Sequence, residues 1–242
     1  MALRALIFDV DGTLAETEEL HRIAFNRAFA EAGLPWTWDR TLYGELLGIT
    51  GGRERIEAYL RQSGGQGADA AALHRRKTEI YNAMMVPGAV ELRPGVAELL
   101  QRARNIGLDL AIATTSRRSN VIGLLCATVG EDSPGWFRSI RSGEDTSRKK
   151  PDPEVFQRVL DDLGRRPEEC LIFEDSENGL RAGRAAGVPV VITPSIYTAD
   201  DDFSGAAYIF RNLDEPFSIL DFVPEFDFHA VPADVRKILF SG

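Results

Sequence analysis

Apolar runs of strand length punctuate the chain: LRALIFDV from Leu3, LDLAIATTS from Leu108, CLIFEDS from Cys170, PVVIT from Pro189 and AYIF from Ala207. They are continuous rather than alternating. Strands that are hydrophobic on both faces are buried on both faces, the condition of a parallel sheet covered by helices. Between the runs lie segments with helical spacing of their apolar residues. PGVAELLQRARNIG begins at Pro94, and PDPEVFQRVLDDLG begins at Pro151 with an Asp and a second Pro near its start and ends at Gly164. Strand and helix in alternation predict an α/β fold built on an open parallel sheet.

One stretch breaks this rhythm. From Glu16 to about Pro87 the pattern is helical throughout, with no convincing strand. EELHRIAFNRAFAEAG puts Leu20, Ala24, Ala28 and Ala32 on one stripe with Phe25 and Phe29 beside it, and stops at Gly33. Further helices are expected near residues 39–47, 53–62 and 69–85, with a turn at Gly64, Gly65 and Gly67. The predicted organisation is a core formed by residues 1–15 and 88–213, a helical cap at 16–87 inserted after the first strand, and a tail at 214–242. VPGAVELRPG is the expected return linker. The tail mixes acids, aromatics and prolines without a clear period, and its His229 is read as a surface or packing residue.

Charge narrows the partners. The 242 residues carry 37 Asp and Glu against 28 Lys and Arg, a formal net charge of -9. A field of that sign opposes nucleic acid and anionic membranes, so an anionic ligand requires a local cluster of cations. The two cysteines, Cys126 and Cys170, lie in apolar segments and suggest buried thiols in a reducing compartment. No signal peptide or membrane-length apolar run is evident, so a soluble cytoplasmic protein is expected; a monomer is the expected oligomeric state.

The acids carry the chemistry. The first strand runs into D-V-D-G-T, with Asp9 and Asp11 one residue apart. Thr114, Thr115 and Ser116 follow the second run, and Glu174 and Asp175 end a third. In open parallel sheets, ligands bind at the carboxyl ends of the strands, so these groups should converge. Several carboxylates at one point repel unless a hard cation is held between them, and an all-oxygen donor set favours Mg²⁺. Zinc is disfavoured: there are three His and two Cys in all, without ligand spacing. N-capping of the next helix is a competing use of Glu174 and Asp175. Hydroxyls and amides near Thr114, with a cation from RKKPDPEVF, would cradle a phosphoryl group.

In that combination and order, D-V-D-G-T, Thr114 in AIATTS, Lys150 in KKPDP and Glu174-Asp175 in LIFEDS, the chain resembles the haloacid dehalogenase (HAD) superfamily. The resemblance implies a Rossmann-like core with an inserted helical cap. It assigns Asp9 as nucleophile and Asp11 as general acid and base, with Thr114 and Lys150 binding the transferring phosphoryl oxygens. It also implies Mg²⁺ held by Asp9, the Asp11 carbonyl and Asp175, with Glu174 assisting. Arg148 and Lys149 sit beside Lys150, and the following Pro151 favours Lys150. Dehalogenation is disfavoured because dehalogenating relatives lack an acid at the place of Asp11.

ALIFDVDGTLAETEELHRIAFNRAF, TGGRERI and KKPDPEVF are further similar to the CbbY-type phosphatases, over roughly residues 3–212. Those enzymes dephosphorylate xylulose 1,5-bisphosphate, a misfire inhibitor of Rubisco, and the likeness implies a sugar bisphosphate as the substrate. Glu18 and His21, three apart on a helix, match sugar-contacting positions. Thr50, Gly51 and Gly52 offer backbone amides, and Arg53 a cation, suited to gripping a second, non-reacting phosphate, and Lys77 matches a residue facing the site. Thr115 and Ser116 complete the expected substrate contacts. A phosphomutase of the β-phosphoglucomutase kind and a catalytically silent module on the same fold are the alternatives; the TGGRER loop favours the phosphatase, and the intact acids argue against the silent module.

Overall fold

The computed structural model describes residues 3–63 and 68–214. The expected turn at Gly64, Gly65 and Gly67, and the tail beyond Asp214 with His229, lie outside the described residues. Among the described residues, six strands form one parallel sheet: β1 (Ala5–Phe8), β2 (Asp109–Ala113), β3 (Phe137–Arg141), β4 (Cys170–Glu174), β5 (Val190–Ile192) and β6 (Tyr208–Ile209), in the order β3-β2-β1-β4-β5-β6. The α/β class and the parallel sheet are as the apolar runs predicted.

β3 escaped the sequence pattern. It is an edge strand in which Arg138 is exposed and Arg141 half-buried, so it shows no continuous apolar run. Its charges are used laterally, Arg138 pairing with Asp109 at 3.1 Å and Arg141 with Asp162 at 2.5 Å.

Alternate residues of the central strands feed two cores. Leu6, Phe8, Leu110, Ile112, Leu171 and Phe173 enter one, and Ala5, Ile7, Ala111, Ile172, Val190 and Ile192 enter the other. The helices α5 (Val96–Asn105) and α6 (Arg118–Thr128) cover the first face, and α7 (Glu154–Leu163) and α8 (Glu177–Ala185), which follow β3 and β4, cover the second. α7 buries Val155, Phe156, Val159, Leu160 and Leu163 on one stripe. In α8, a β-carbon at Gly183 would press on Val190 and Ile172, so that glycine lets the helix approach the sheet closely. Gly187 lies beyond the helix end.

Among the described residues, four helices precede these in the chain, between β1 and α5: α1 (Glu18–Glu31), α2 (Arg40–Leu47), α3 (Gly52–Ser63) and α4 (Ala70–Met84). α1 is buried on two sides. Ala24 and Ala28 join the first sheet core, whereas Phe25 and Phe29 join a separate aromatic cluster with Trp38, Tyr43, Leu46, Ile56 and Leu73. Ala32, assigned to the apolar stripe, is exposed at the helix end.

The two chain crossings between the helical insert and the sheet meet in an isolated antiparallel bridge, Ala15 to Leu92. Arg93, next in sequence, is buried and ties this junction to the loops around the sheet's carboxyl ends. It donates to the carbonyls of Gly12, Thr193 (2.6 Å) and Pro194 (2.8 Å).

Candidate active site

Strand register brings the catalytic candidates together. Phe8 pairs with Ile112 on one side and Phe173 on the other, so Asp9 lies level with Ala113 and Glu174, one residue before Thr114 and Asp175. Gly12 completes the loop after Asp11 at φ 83°, a left-handed conformation, and any β-carbon there would run into the Asp175 carboxylate. Gly179 does the same service from α8: a β-carbon there would overlap the Glu174 carboxylate.

Asp9, Glu174 and Asp175 are buried, with a carboxylate oxygen of each within 4.8 Å of the others. Lys150 is buried against them. Its Nζ donates to Asp9 Oδ1 at 2.6 Å, Glu174 Oε1 at 2.5 Å and the Ala113 carbonyl at 2.8 Å. Arg148 instead reaches Asp152 at 3.1 Å, and Lys149 bonds the Gly143 and Thr146 carbonyls, so only Lys150 of the three serves the acids. Glu174 also accepts the amides of Asp175 (3.0 Å) and Ser176 (3.4 Å). The competing capping role falls to Ser176, whose hydroxyl caps α8 by accepting from Gly179 N at 3.2 Å.

One lysine does not balance three acids. Burial pushes the Asp9 carboxyl up to about 7, with Lys150 opposing and Glu174 adding to the rise. Asp175 is raised well above the carboxylate range by burial, by Glu174 and by Asp9. An all-oxygen cluster with excess negative demand is the donor set of a hard divalent cation.

Asp11 faces elsewhere. Its carboxylate accepts from Thr17 Oγ1 at 2.5 Å, His21 Nε2 at 2.9 Å and Ser116 Oγ. Burial opposes its ionisation, yet His21, Ser116 and Thr17 together hold it well below the usual carboxylate range. His21 Nδ1 lies 2.6 Å from Lys77 Nζ. A protonated lysine only donates, so Nδ1 is the acceptor and the proton on Nε2 points at Asp11. Burial pulls Lys77 down to about 7, and its Nζ sits over the rings of Phe25 (4.5 Å) and Tyr81 (5.3 Å). His21 stacks on Tyr81 at 4.0 Å. Lys77, His21 and Asp11 thus form a hydrogen-bonded chain from the insert to the core.

These groups line one cleft of about 350 Å³ between the insert and the sheet. Asp9, Asp11, Glu18, His21, Thr50, Gly51, Gly52, Lys77, Thr114, Thr115, Ser116, Lys150, Glu174 and Asp175 all border it. Arg53 does not. Its side chain is 59% exposed and pairs with Glu57 at 2.8 Å on the solvent face of α3. The expectation for Arg53 is corrected by helix phase: α3 starts at Gly52, and its inward face carries Arg55 and Ile56 instead. Arg55 borders the cleft and donates to the Leu46 carbonyl (3.0 Å) and Tyr43 Oη (3.1 Å), while Tyr43 Oη donates to Glu18 at 2.5 Å. The apolar Ile56 beside Arg55 is the signal that could have set the phase from sequence.

His74, one turn before Lys77 on α4, also borders the cleft unforeseen. Burial, with Lys77 and Arg117 nearby, pushes it down to about 3, so it is neutral near pH 7. Asn178 reaches across from α8, donating to Thr50 Oγ1 at 3.1 Å and the Gly48 carbonyl at 3.3 Å.

A parallel sheet ending in four converging motifs, under a helical insert, defines a class, and the sequence match agrees: residues 6–193 match the haloacid dehalogenase-like hydrolases, and the chain belongs to that family. Within it, the chain is 51% identical over 208 residues to the CbbY protein of Rhodobacter capsulatus, covering 85% of this chain and 92% of that protein. The crystal structure of CbbY from Rhodobacter sphaeroides in complex with phosphate superposes with a TM-score of 0.84 at 44% identity, covering 88% of this chain and 96% of that one. A mutant of the same protein in complex with xylulose-(1,5)bisphosphate matches at 43% identity with the same TM-score. The putative phosphatase YhcW of Bacillus subtilis is 32% identical over 198 residues, 81% of this chain and 86% of that protein. The chain is accordingly a phosphatase of the HAD type. Among the described residues, no helix is long and apolar enough to cross a membrane.

Proposed function

We propose that the chain is a Mg²⁺-dependent sugar bisphosphate phosphatase that converts xylulose 1,5-bisphosphate to xylulose 5-phosphate, acting as a monomer in the cytoplasm. The observation that carries this reading is the two-ended cleft. The acids and Lys150 stand at one end, and Arg55, Lys77 and the Thr50–Gly52 loop stand on the facing insert, suited to a second, non-reacting phosphate. The similarity to a protein crystallised with xylulose-(1,5)bisphosphate supports the choice of sugar.

In the reaction, an Asp9 carboxylate oxygen attacks phosphorus and the bond to the sugar oxygen breaks. The leaving oxygen takes a proton from Asp11, which receives it through His21 from Lys77. Asp11, once ionised, then removes a proton from water, whose oxygen attacks the phosphorus of the Asp9 phosphoryl ester and releases inorganic phosphate. Thr114 and Lys150 hold the transferring oxygens, and Glu18, His21, Thr115 and Ser116 orient the sugar. Asp9, the Asp11 carbonyl and Asp175, with Glu174 alongside, would hold Mg²⁺, which would supply positive charge to offset that of the phosphoryl group.

The end of the cleft that holds the second phosphate is tested by exchanging two arginines. Arg55→Lys should raise KM for the bisphosphate about 10-fold or more while changing KM for a monophosphate little, and Arg53→Ala should leave both within about 2-fold. The reverse order would return the role to Arg53. Phosphate release without transfer back to a sugar separates the phosphatase from the mutase.

Metal dependence has a thermal signature. Asp9 is raised from 3.8 to about 7, so the folded state binds its proton more tightly than the unfolded chain. That contribution to stability is present at low pH and is lost as pH rises through about 7; Asp175 acts in the same direction. Mg²⁺ offsets the exposed repulsion, so the rise in Tm on adding Mg²⁺ should be larger at pH 8 than at pH 5. Equal rises at both pH values would contradict the acid cluster as the binding site.

A further inference from the structure

The loop after β5 touches both halves of the cleft within four residues. Thr198 Oγ1 donates to Asp175 Oδ2 at 3.3 Å, the Ser195 hydroxyl also bonds that carboxylate, and the two hydroxyls lie 2.9 Å apart. Between them in sequence, Tyr197 leaves the sheet side and crosses to the insert. Its Oη donates to Glu19 Oε2 at 2.7 Å, and its ring meets that of Tyr43 edge-on at 5.6 Å. Tyr43 in turn holds Glu18, and Arg55 holds Tyr43. Both ends of the loop are fixed: Arg93 grips the Thr193 and Pro194 carbonyls, and Asp201 accepts Glu177 N at 2.9 Å at the start of α8. Ile196, by contrast, is 79% exposed, so three successive side chains point three ways: Ile196 to solvent, Tyr197 to the insert and Thr198 to Asp175.

We infer that Tyr197 is a positioning residue that registers the substrate-reading side of the insert, Glu18, Tyr43 and Arg55, against the Asp175 carboxylate. The inference rests on the proposed reading of Asp175 as a cation ligand. A cation at Asp175 fixes the acceptor around which Ser195 and Thr198 are ordered, and those two set the direction of Tyr197. The coupling is reciprocal: a contact that closes more readily when the cation is bound must, when present, tighten the cation. Glu19 is suited to receive Tyr197, because Arg22 at 2.6 Å and Arg40 at 3.4 Å hold it ionised, and a charged acceptor strengthens the hydroxyl's bond. Neither Tyr197 Oη nor Glu19 is needed to touch the reacting phosphoryl group.

The test is Mg²⁺ binding to the substrate-free full-length enzyme, measured by titration calorimetry for wild type, Tyr197→Phe, Glu19→Ala and the double variant. Tyr197→Phe removes one oxygen and leaves the ring on Tyr43. Each single change should weaken Mg²⁺ about 5-fold or more, and the double variant should be no weaker than the weaker single one, because both delete the same bond. Wild-type Mg²⁺ affinity in Tyr197→Phe, or losses that multiply in the double variant, would overturn the inference. If the wild-type enzyme itself takes up no Mg²⁺, the cation reading of Asp175 fails first and the inference falls with it, an outcome the wild-type titration identifies separately.

Discussion

Asp9→Asn is expected to abolish phosphate release, with turnover falling at least ~10³-fold, while the metal-free protein melts at a higher temperature near neutral pH than the wild type. The two effects have one origin. Asp9 sits buried beside Glu174 and Asp175 with Lys150 as the nearby cation, and its carboxyl is pushed up to about 7 because the fold resists a further negative charge there. The amide is isosteric, carries no charge to desolvate and still accepts from Lys150, so the folded state gains. It is also too poor a nucleophile to accept the phosphoryl group. Activity assays beside thermal unfolding at pH 7.5 check both halves; an active Asn variant would remove Asp9 from the nucleophile role.

Lys150→Met carries the second large effect, and it runs the other way in stability. The ammonium is buried between two carboxylates and a carbonyl, and those acids hold its proton above the ordinary lysine range despite burial. A raised lysine contributes stability fully below 10.5, lost only as pH rises through its folded value, so at pH 7–8 the whole contribution is present to lose. Removing it leaves uncompensated buried carboxylates, a change that costs ~3–5 kcal/mol in comparable pairs. Turnover should fall by ~10²-fold or more, since the phosphoryl oxygens lose their fixed cation. Added Mg²⁺ should restore part of the Tm and little of the rate. A variant as stable as wild type without metal would mean that the acid cluster is neutral in the resting protein and that Lys150 does not stabilise it by charge.

The core of the site was legible because its geometry follows from one rule. Each motif ends a buried apolar run, runs of that kind form parallel strands, and strand register then places Asp9, Thr114 and Glu174 side by side. Lys150 was legible through its place next to Pro151, and it proves to be the one cation among its neighbours that reaches the acids. The insert was harder to read. Which residue of TGGRERI faces inward depends on where α3 starts, and a shift of two residues separates Arg53 in solvent from Arg55 in the cleft. Tyr43, His74, Asn178 and Tyr197 left no local signal, because their importance comes from contacts made across 25 to 178 residues of chain or from tertiary burial. β3 was hidden for a related reason: an edge strand can carry arginines, so its pattern is that of a surface segment.

The helical insert also shows why candidate residues there are less readable than those of the sheet. α1 serves two cores at once, Ala24 and Ala28 toward the sheet and Phe25 and Phe29 toward the aromatic cluster, so its apolar residues do not mark a single buried face. His21 sits on that helix between Asp11 and Lys77, and its role is defined by partners 10 and 56 residues away.

Hydrolysis of a sugar bisphosphate in this cleft is tested most directly by kcat/KM for phosphate release with Mg²⁺ from xylulose 1,5-bisphosphate, set beside ribulose 1,5-bisphosphate, fructose 1,6-bisphosphate and β-glucose 1-phosphate. The expected result is a preference for xylulose 1,5-bisphosphate of at least ~10²-fold over the others, with xylulose 5-phosphate as the sugar product and no glucose 6-phosphate formed. Equal rates across the panel, or conversion of β-glucose 1-phosphate to glucose 6-phosphate as the main reaction, would contradict it.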